Sequence, residues 1–478
     1  MQIREGLTFN DVLLVPKYSD VESRRKLSVK TLLSKNLTLN IPIMSANMDT
    51  VTEYKMAICM AELGGIGIIH RYLPIEGQAE QVKKVKRAHN FIINDPYTIS
   101  EDADLETLRR SMKKYEVKSL LATDSEGRLK GIISKKDLLF ESTEDTLVKD
   151  IMTSTENLVY KTVGSLSELD FNQMYTMLKE RKVKQIPVVD NDMKVIGLVT
   201  LKDVEKRLNF PDALKDQKGR LRVGAAVGVI NDYLERTAEL VKAGVDVLVI
   251  DIAHGHSKHT IEAIKNLKRD FPQVDVIAGN VATGEATRDL ILAGADSIKV
   301  GIGPGSTCST RIVTGCGVPQ LTAVVDCYNV AKEYNIPVIA DGGIRTSGDI
   351  VKALAAGASS VMIGGMLAGC EESPGQTRMR DGQKVKIYRG MASYDAVENR
   401  KKKESSYNVE MSEYTPEGVE TVTPYKGYVS EVVSQLVGGI RSGMSYIGTN
   451  SVPEMVKNAE FIRITSSGWN ESTPHALK

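Results

Sequence analysis

Cysteine is scarce in this chain of 478 residues, which has only five: Cys59, Cys308, Cys316, Cys327 and Cys370. None belongs to a Cys-x-x-Cys pair, which argues against a disulfide framework and against a thiolate zinc site. Reduced thiols are the expectation. An excess of charge of one sign is also missing, since 62 basic against 61 acidic residues leave a net charge of +1. No overall field draws such a protein to nucleic acid or to an anionic membrane, so small molecules are the expected partners. Long apolar runs are lacking too. The opening stretch MQIREGLTFNDVLLVP carries Arg4, Glu5 and Asp11 and does not read as a signal peptide, and no other run is long enough to span a bilayer. A cytoplasmic location is expected. What is present, 42% hydrophobic and 26% charged residues, is the balance of a globular chain with room for more than one domain.

Short β-branched runs recur, each ending in glycine, asparagine, aspartate or histidine and mostly followed by a helix-like stretch. Eight are found, at 41–48, 64–70, 222–228, 246–253, 274–281, 296–303, 337–343 and 359–365. Helical segments such as DYLERTAELVKAG and SGDIVKALAAG lie between them and close on glycine. Eight such units predict an α/β fold of the TIM (β/α)8 barrel type rather than an open doubly wound sheet. About 150 residues separate the second run from the third, too many for a barrel loop, so an inserted domain is expected there.

That insertion contains a repeat. KSLLATDSEGRLKGIISKKDLL (118–139) aligns with KQIPVVDNDMKVIGLVTLKDVE (184–205), matching Gly131 to Gly197, Ser134 to Thr200 and Asp137 to Asp203. A duplication of this size implies two similar units packed together. The order strand, glycine, strand, then Ser/Thr-x-Lys-Asp opening a helix resembles the CBS module, and the pair covers roughly 90 to 207. The resemblance implies a CBS-pair (Bateman) insert with Asp137 and Asp203 as candidates to hold the ribose of regulatory adenine or guanine nucleotides of the ATP or GTP type. The alternative is that each carboxylate only caps a helix. The expected division is 1–88 and 208–478 for the barrel and 89–207 for the insert.

In a TIM barrel the working residues sit at the C-terminal ends of the strands, and phosphate is often bound after strands seven and eight. Those loops here are DGGI (341–344) and GGML (364–367), whose glycines let backbone N–H groups approach an anion closely. Just past strand six lies GIGPGSTCSTRIVTGCGVPQ (301–320). A buried structural role is the usual one for cysteine and is assigned to Cys59, Cys327 and Cys370. Cys308 differs, because backbone donors and nearby Arg311 favour a thiolate in a polar, glycine-rich loop. Cys316 competes with it, but its flanking glycines look structural.

These stretches, with ADGGI, VMIGGMLAGCEESPG, YRGMAS and PYKG, resemble the IMP dehydrogenase and GMP reductase family over nearly the whole chain, insert included. The resemblance implies that Cys308 attacks C2 of a purine nucleotide, GMP or IMP, and that a nicotinamide cofactor exchanges hydride at that carbon. It implies Ser306, Gly343, Gly364, Gly365 and Tyr388 for the phosphate, Asp341 for the ribose hydroxyls, and Gly390 and Met391 for the base. Asp251, Asn280 and Gly301 would face the nicotinamide. The backbone carbonyls of Gly303, Gly305 and Cys308 would hold a monovalent cation such as potassium, and Glu471 and Ser472 keep part of a C-terminal pattern associated with it. A homotetramer is implied, or an octamer joined through CBS pairs.

Both activities need the same covalent adduct and differ afterwards. A dehydrogenase must hydrolyse it, and in that branch an Arg-Tyr pair on a mobile flap activates the water; a reductase expels ammonia and accepts hydride. The flap region 390–420 contains no Arg-Tyr pair: Tyr407 follows Ser406, and the nearest arginine is Arg400. Asn47, Ala278 and Ala392 also depart from the usual dehydrogenase residues. The sequence therefore most resembles a CBS-bearing GMP reductase using NADPH, with Thr310 and Glu417 handling protons, since a departing amine must be protonated. The cysteine loop itself is nearer the bacterial dehydrogenases. NAD-dependent IMP oxidation is the first alternative, followed by a non-catalytic nucleotide sensor or a flavin-dependent barrel.

Overall fold

A computed structural model describes residues 3–88, 92–94, 96–115, 117–139, 146–403, 410–412 and 414–474. The chain divides into two compact units, Met1–Ala88 with Asp212–Lys478, and His89–Pro211.

The larger unit is a closed parallel barrel of eight strands: β1 Ile43–Ser45, β2 Ile66–Ile69, β3 Gly224–Val227, β4 Val247–Ile250, β5 Asp275–Val281, β6 Ser297–Val300, β7 Val338–Asp341 and β8 Ser360–Ile363. Each lies inside one of the eight runs read from the sequence. The barrel closes where β8 pairs β1, with Met362 beside Met44, and β1 pairs β2, with Met44 beside Ile66. Such strands are buried on both faces, which is why they read as continuous apolar runs rather than as alternating ones. One face fills the interior with Met44, Ile66, Ile68, Ala226, Val247, Val249, Ile277, Ile339 and Met362. Leu33 and Leu39, both within the hairpin Thr31–Leu32/Thr38–Leu39, pack into the same cluster. The other face meets the helices between the strands.

Glycine ends these helices for a physical reason. Helix Tyr233–Ala243 stops at Gly244, whose φ of +92° is left-handed and disfavoured for any residue with a Cβ. After Ser347–Ala355 the turn contains Gly357 at φ +108°, where a Cβ would come within 2.2 Å of the Tyr328 ring. Among the described residues no helix is long and apolar enough to cross a membrane.

Outside the barrel, Thr377–Arg380, Gln383–Arg389 and Glu420–Pro424 form a three-stranded antiparallel sheet. The long excursion between its second and third strands carries helix Tyr394–Lys403 and returns at Glu417. This sheet fixes both ends of the excursion, the 388–391 corner and the 417–420 corner, at a defined place.

The second unit is the repeat made visible, so the fold is a TIM barrel carrying an inserted CBS pair. One sheet has the order Thr153–Ser154, Leu129–Ser134, Ser119–Thr123, Thr98–Ser100; the other has Lys161–Thr162, Gln185–Val189, Val195–Thr200, Ile92–Asn94. The duplication extends to irregularities: the register shifts between Ala122 and Thr123 in one half and between Val188 and Val189 in the other, matched positions of the repeat. Ser119 donates to Gln185, again matched positions, at 2.8 Å. Leu121, Leu129, Val189 and Leu198 form a small apolar cluster that joins the halves.

Candidate functional site

The cysteine loop begins where β6 ends. Gly301 must be glycine, because its φ is +153° and a Cβ there would lie 2.1 Å from the Asp341 carbonyl oxygen at the end of β7. Without a side chain the two strand ends close together. Beyond them the loop turns back through a Cys308 N–H to Gly305 carbonyl hydrogen bond of 3.1 Å. Arg311 then braces it from below: Nε donates to the Ile302 carbonyl at 3.0 Å and Nη2 to the Val318 carbonyl at 2.6 Å. The guanidinium expected to favour the thiolate is thus engaged with loop carbonyls, and burial pulls its own pKa down from the ordinary arginine value. It holds the loop's shape and remains within electrostatic reach of Cys308, whose charge acts on it in the opposite direction to burial.

Cys308 is exposed at the loop's tip. Its Sγ donates to Thr310 Oγ1 at 3.1 Å, and Thr310 Oγ1 donates to Glu417 Oε2 at 2.8 Å. Glu417 arrives from the distant sheet excursion, and the backbone locks it in place. The Ser309 N–H donates to the Glu417 carbonyl at 2.9 Å, the Glu417 N–H to Ala392 at 3.0 Å, and the Val419 N–H to Thr307 at 2.9 Å. A thiol, a hydroxyl and a carboxylate therefore stand in one chain of donors, each aimed at the next acceptor. Such a chain can carry the thiol proton to the carboxylate and return it elsewhere.

These groups open onto a cleft of about 660 Å³ at the C-terminal mouth of the barrel. Gly343, at φ +77°, lines it from the loop after β7, and Gly364 and Gly365 line it after β8. A Cβ on Gly364 would meet Met48 Sδ at 2.9 Å, and one on Gly365 would meet Ser306 Oγ at 3.0 Å. Ser306 Oγ and the Tyr388 hydroxyl share a 3.1 Å hydrogen bond across this cradle. Bare backbone, two hydroxyls and loops from three strands form a donor set suited to an anion such as a phosphate. Gly390 and Met391 form an opposite wall, held by the Tyr72 hydroxyl, which donates to the Met391 carbonyl at 2.9 Å.

A third wall carries charge. Asp251 follows β4 and accepts from Arg71 Nε at 3.0 Å, so it is not a helix cap; the next helix starts at Lys258 with Ser257 as its cap. Asn280, on β5, donates through Nδ2 to the Gly301 carbonyl at 2.9 Å and to Asp341 Oδ2 at 3.0 Å. Both amide hydrogens are spent inside the protein, so Asn280 shapes this wall more than it offers donors to a ligand. Asp341 and Asn280 share a partner that sequence reasoning missed, the buried Lys299 of β6. Its only signal was a lysine inside a run of strand-forming residues. With Ile252 and Ala253 beside Asp251, this wall has an apolar face and polar edges, a combination that fits a flat amide-bearing ring such as nicotinamide.

Every residue expected to touch substrate, nicotinamide or cation lines this one cleft: Asp251, Asn280, Gly301, Gly303, Gly305, Ser306, Cys308, Thr310, Asp341, Gly343, Gly364, Gly365, Tyr388, Gly390, Met391 and Glu417. Glu471 and Ser472 do not; they end the helix Ser466–Glu471, away from the cleft lining. No group of three or more His, Cys, Asp or Glu side chains suited to a metal occurs among the described residues, so a cation in the cysteine loop would depend on carbonyl oxygens. In the insert, Asp137 Oδ2 accepts from the N–H and the hydroxyl of Ser134, both at 2.7 Å, where the chain enters the short 3-10 helix Asp137–Leu139. The Asp203 side chain lies outside the described ones.

The other thiols separate by environment. Burial pushes Cys59, Cys327 and Cys370 each up to about 12, so at pH 8 they are almost wholly protonated and unreactive. Cys308 and Cys316 are exposed. Brief treatment with iodoacetamide at pH 8 is expected to label these two alone, with GMP or IMP protecting Cys308 and not Cys316. Peptide mass mapping reads the result.

The family model described as the IMP dehydrogenase / GMP reductase domain matches residues 6–475. The chain belongs to that family. It is 49% identical to the inosine-5'-monophosphate dehydrogenase of Nitrosopumilus maritimus, covering 99% of each chain. It is 50% identical to the enzyme of the same name from Aquifex aeolicus, covering 100% of this chain and 96% of that one. Among solved structures, GMP reductase from Trypanosoma brucei, a cysteine-to-alanine variant in complex with guanosine 5'-monophosphate, superimposes with a TM-score of 0.90 at 44% identity, over 99% of this chain and 98% of the other. The same protein in complex with guanosine 5'-triphosphate gives a TM-score of 0.79 at 40% identity, over 97% of this chain and 99% of that one. Members of this dehydrogenase/reductase family are oxidoreductases of purine nucleotides and use a nicotinamide cofactor.

Proposed function

We propose that the protein is a GMP reductase, converting GMP to IMP and ammonia with NADPH through a covalent adduct on Cys308. The observation that carries this reading is a complete Cys308–Thr310–Glu417 relay beside a flap sequence with no Arg-Tyr pair to activate water. Arg400, the arginine nearest Tyr407 in the flap sequence, is buried, and its guanidinium stands 4.9 Å over the Tyr72 ring. The likeness to the trypanosomal reductase supports the same reading.

Phosphate would bind in the Ser306, Gly343, Gly364, Gly365 and Tyr388 cradle, the ribose on Asp341, and the base against Gly390 and Met391. The Cys308 proton passes through Thr310 to Glu417, and the thiolate bonds to C2 of the purine. Glu417 returns the proton through Thr310 to the 2-amino group, which leaves as ammonia while sulfur stays on carbon. Asp251, Asn280 and Gly301 would hold the nicotinamide, which when bound would supply hydride to that carbon. Sulfur then departs with its electron pair, which restores the thiolate and leaves IMP. A potassium ion on the carbonyls of Gly303, Gly305 and Cys308 would stiffen the loop. Asp137 and Asp203 would serve the insert as ribose ligands for regulatory purine nucleotides.

The second reading is IMP dehydrogenase, oxidising IMP to XMP with NAD, and the names of relatives near 50% identity favour it. Incubation with GMP plus NADPH, and separately with IMP plus NAD, decides between them. IMP and ammonia from the first mixture and no XMP from the second is the expected result. XMP from the second, at the faster rate, would overturn the reductase assignment.

A further inference from the structure

Lys299 is a charged side chain set deep in the barrel mouth, with 3% of it exposed. Taking an ammonium out of water is unfavourable unless its partners are fixed and well placed. Here they are. Lys299 Nζ donates to Asp341 Oδ2 at 2.6 Å and also to Asn280 Oδ1. Asn280 Nδ2 adds a second donor to the same Asp341 Oδ2, at 3.0 Å. The main chain of Asp341 is tied as well, because Gln320 Nε2 donates to its carbonyl at 3.1 Å and to the Val300 carbonyl at 2.9 Å.

One oxygen of the Asp341 carboxylate is therefore doubly occupied from inside the barrel. The other, Oδ1, accepts no hydrogen bond from the described residues, yet the residue lines the cleft and is 20% exposed. A carboxylate free to rotate would adapt to whichever sugar hydroxyl arrived. One clamped through Oδ2 presents Oδ1 in a single orientation, with two lone pairs suited to two neighbouring hydroxyls.

We propose that Lys299 is a positioning residue for sugar selectivity: with Asn280 it clamps Asp341 so that the free oxygen reads the 2'-hydroxyl, and ribonucleotides are taken over 2'-deoxyribonucleotides. This rests on the reading of Asp341 as the ribose acceptor. A deoxy sugar leaves a half-buried acceptor lone pair unmatched, and a fixed carboxylate cannot turn to satisfy it elsewhere. The lysine never touches the nucleotide in this account. It acts through the orientation it imposes.

The test is titration calorimetry of GMP against 2'-deoxy-GMP, with IMP against 2'-deoxy-IMP in parallel, so that the choice between the two activities does not enter. Wild-type protein is expected to favour the ribose form by about tenfold or more. Lys299→Met, checked by thermal melting, should reduce that ratio to about threefold or less, chiefly by weakening the ribose form, since the phosphate contacts are untouched. Lys299→Gln, which keeps a donor without the charge, should give an intermediate ratio and serves alone if the methionine variant does not fold. A ratio unchanged in whichever variant folds would overturn the proposal. Asp341→Asn separates the two claims: if it leaves the ribose preference intact, the reading of Asp341 fails. If it abolishes the preference while the Lys299 variants keep it, only the positioning role fails.

Discussion

Replacing Cys308 with alanine is expected to lower turnover by about four orders of magnitude or more, as removal of an attacking nucleophile does elsewhere. Affinity for the nucleotide should stay within a few-fold of wild type. The split follows from the geometry. In the proposed binding mode the phosphate meets Ser306, Tyr388 and the glycines of two other loops, and the sugar meets Asp341 on β7, all of them cleft-lining groups apart from the thiol. Fold should be retained as well, since the side chain is exposed and its Sγ makes its hydrogen bond to Thr310 alone among the described residues. Steady-state rates with each substrate pair, alongside calorimetric titration of GMP and IMP, measure the two quantities separately. Substantial residual turnover would mean that another group attacks the purine.

Glu417→Gln is expected to lower kcat by about 10²- to 10⁴-fold, the usual worth of a placed proton acceptor. The amide keeps the size of the side chain, and the backbone bonds of Glu417 to Ser309 and Ala392 do not depend on the carboxylate. Nucleotide binding should change little. Thr310→Val interrupts the same relay one step earlier, so the two substitutions should not add: the double variant is expected to be about as slow as the slower single one. Multiplying losses would show that the hydroxyl and the carboxylate act separately. In the reductase reading the missing proton is the one for the departing amine, so ammonia release before hydride transfer should slow in step with kcat.

Much of the barrel could be read from sequence because parallel strands covered on both sides leave an unmistakable trace: short apolar runs closed by residues that tolerate tight turns. The repeat in the insert was legible for a similar reason, since matched glycines and matched strands reflect one geometry used twice. The cysteine loop was legible through its motif. What sequence did not convey were interactions made across distance. Lys299 sits in a strand-like run, and nothing local says that its ammonium is met by Asn280 and Asp341 from neighbouring strands. Arg311, read from proximity as a partner for the thiolate, is also bonded to two carbonyls of the loop, contacts that its sequence neighbourhood does not announce. The position of Glu417 over the cysteine loop depends on a three-stranded sheet outside the barrel, whose second and third strands pair residues as far apart as Val385 and Pro424.

The most direct measurement is the mass of the Cys308 peptide after acid quench during turnover with GMP and NADPH. The geometry predicts a purine nucleotide attached there, at the mass of GMP less ammonia, and none on Cys316. An unmodified Cys308 under steady turnover, or a nucleotide on any other residue, would contradict it.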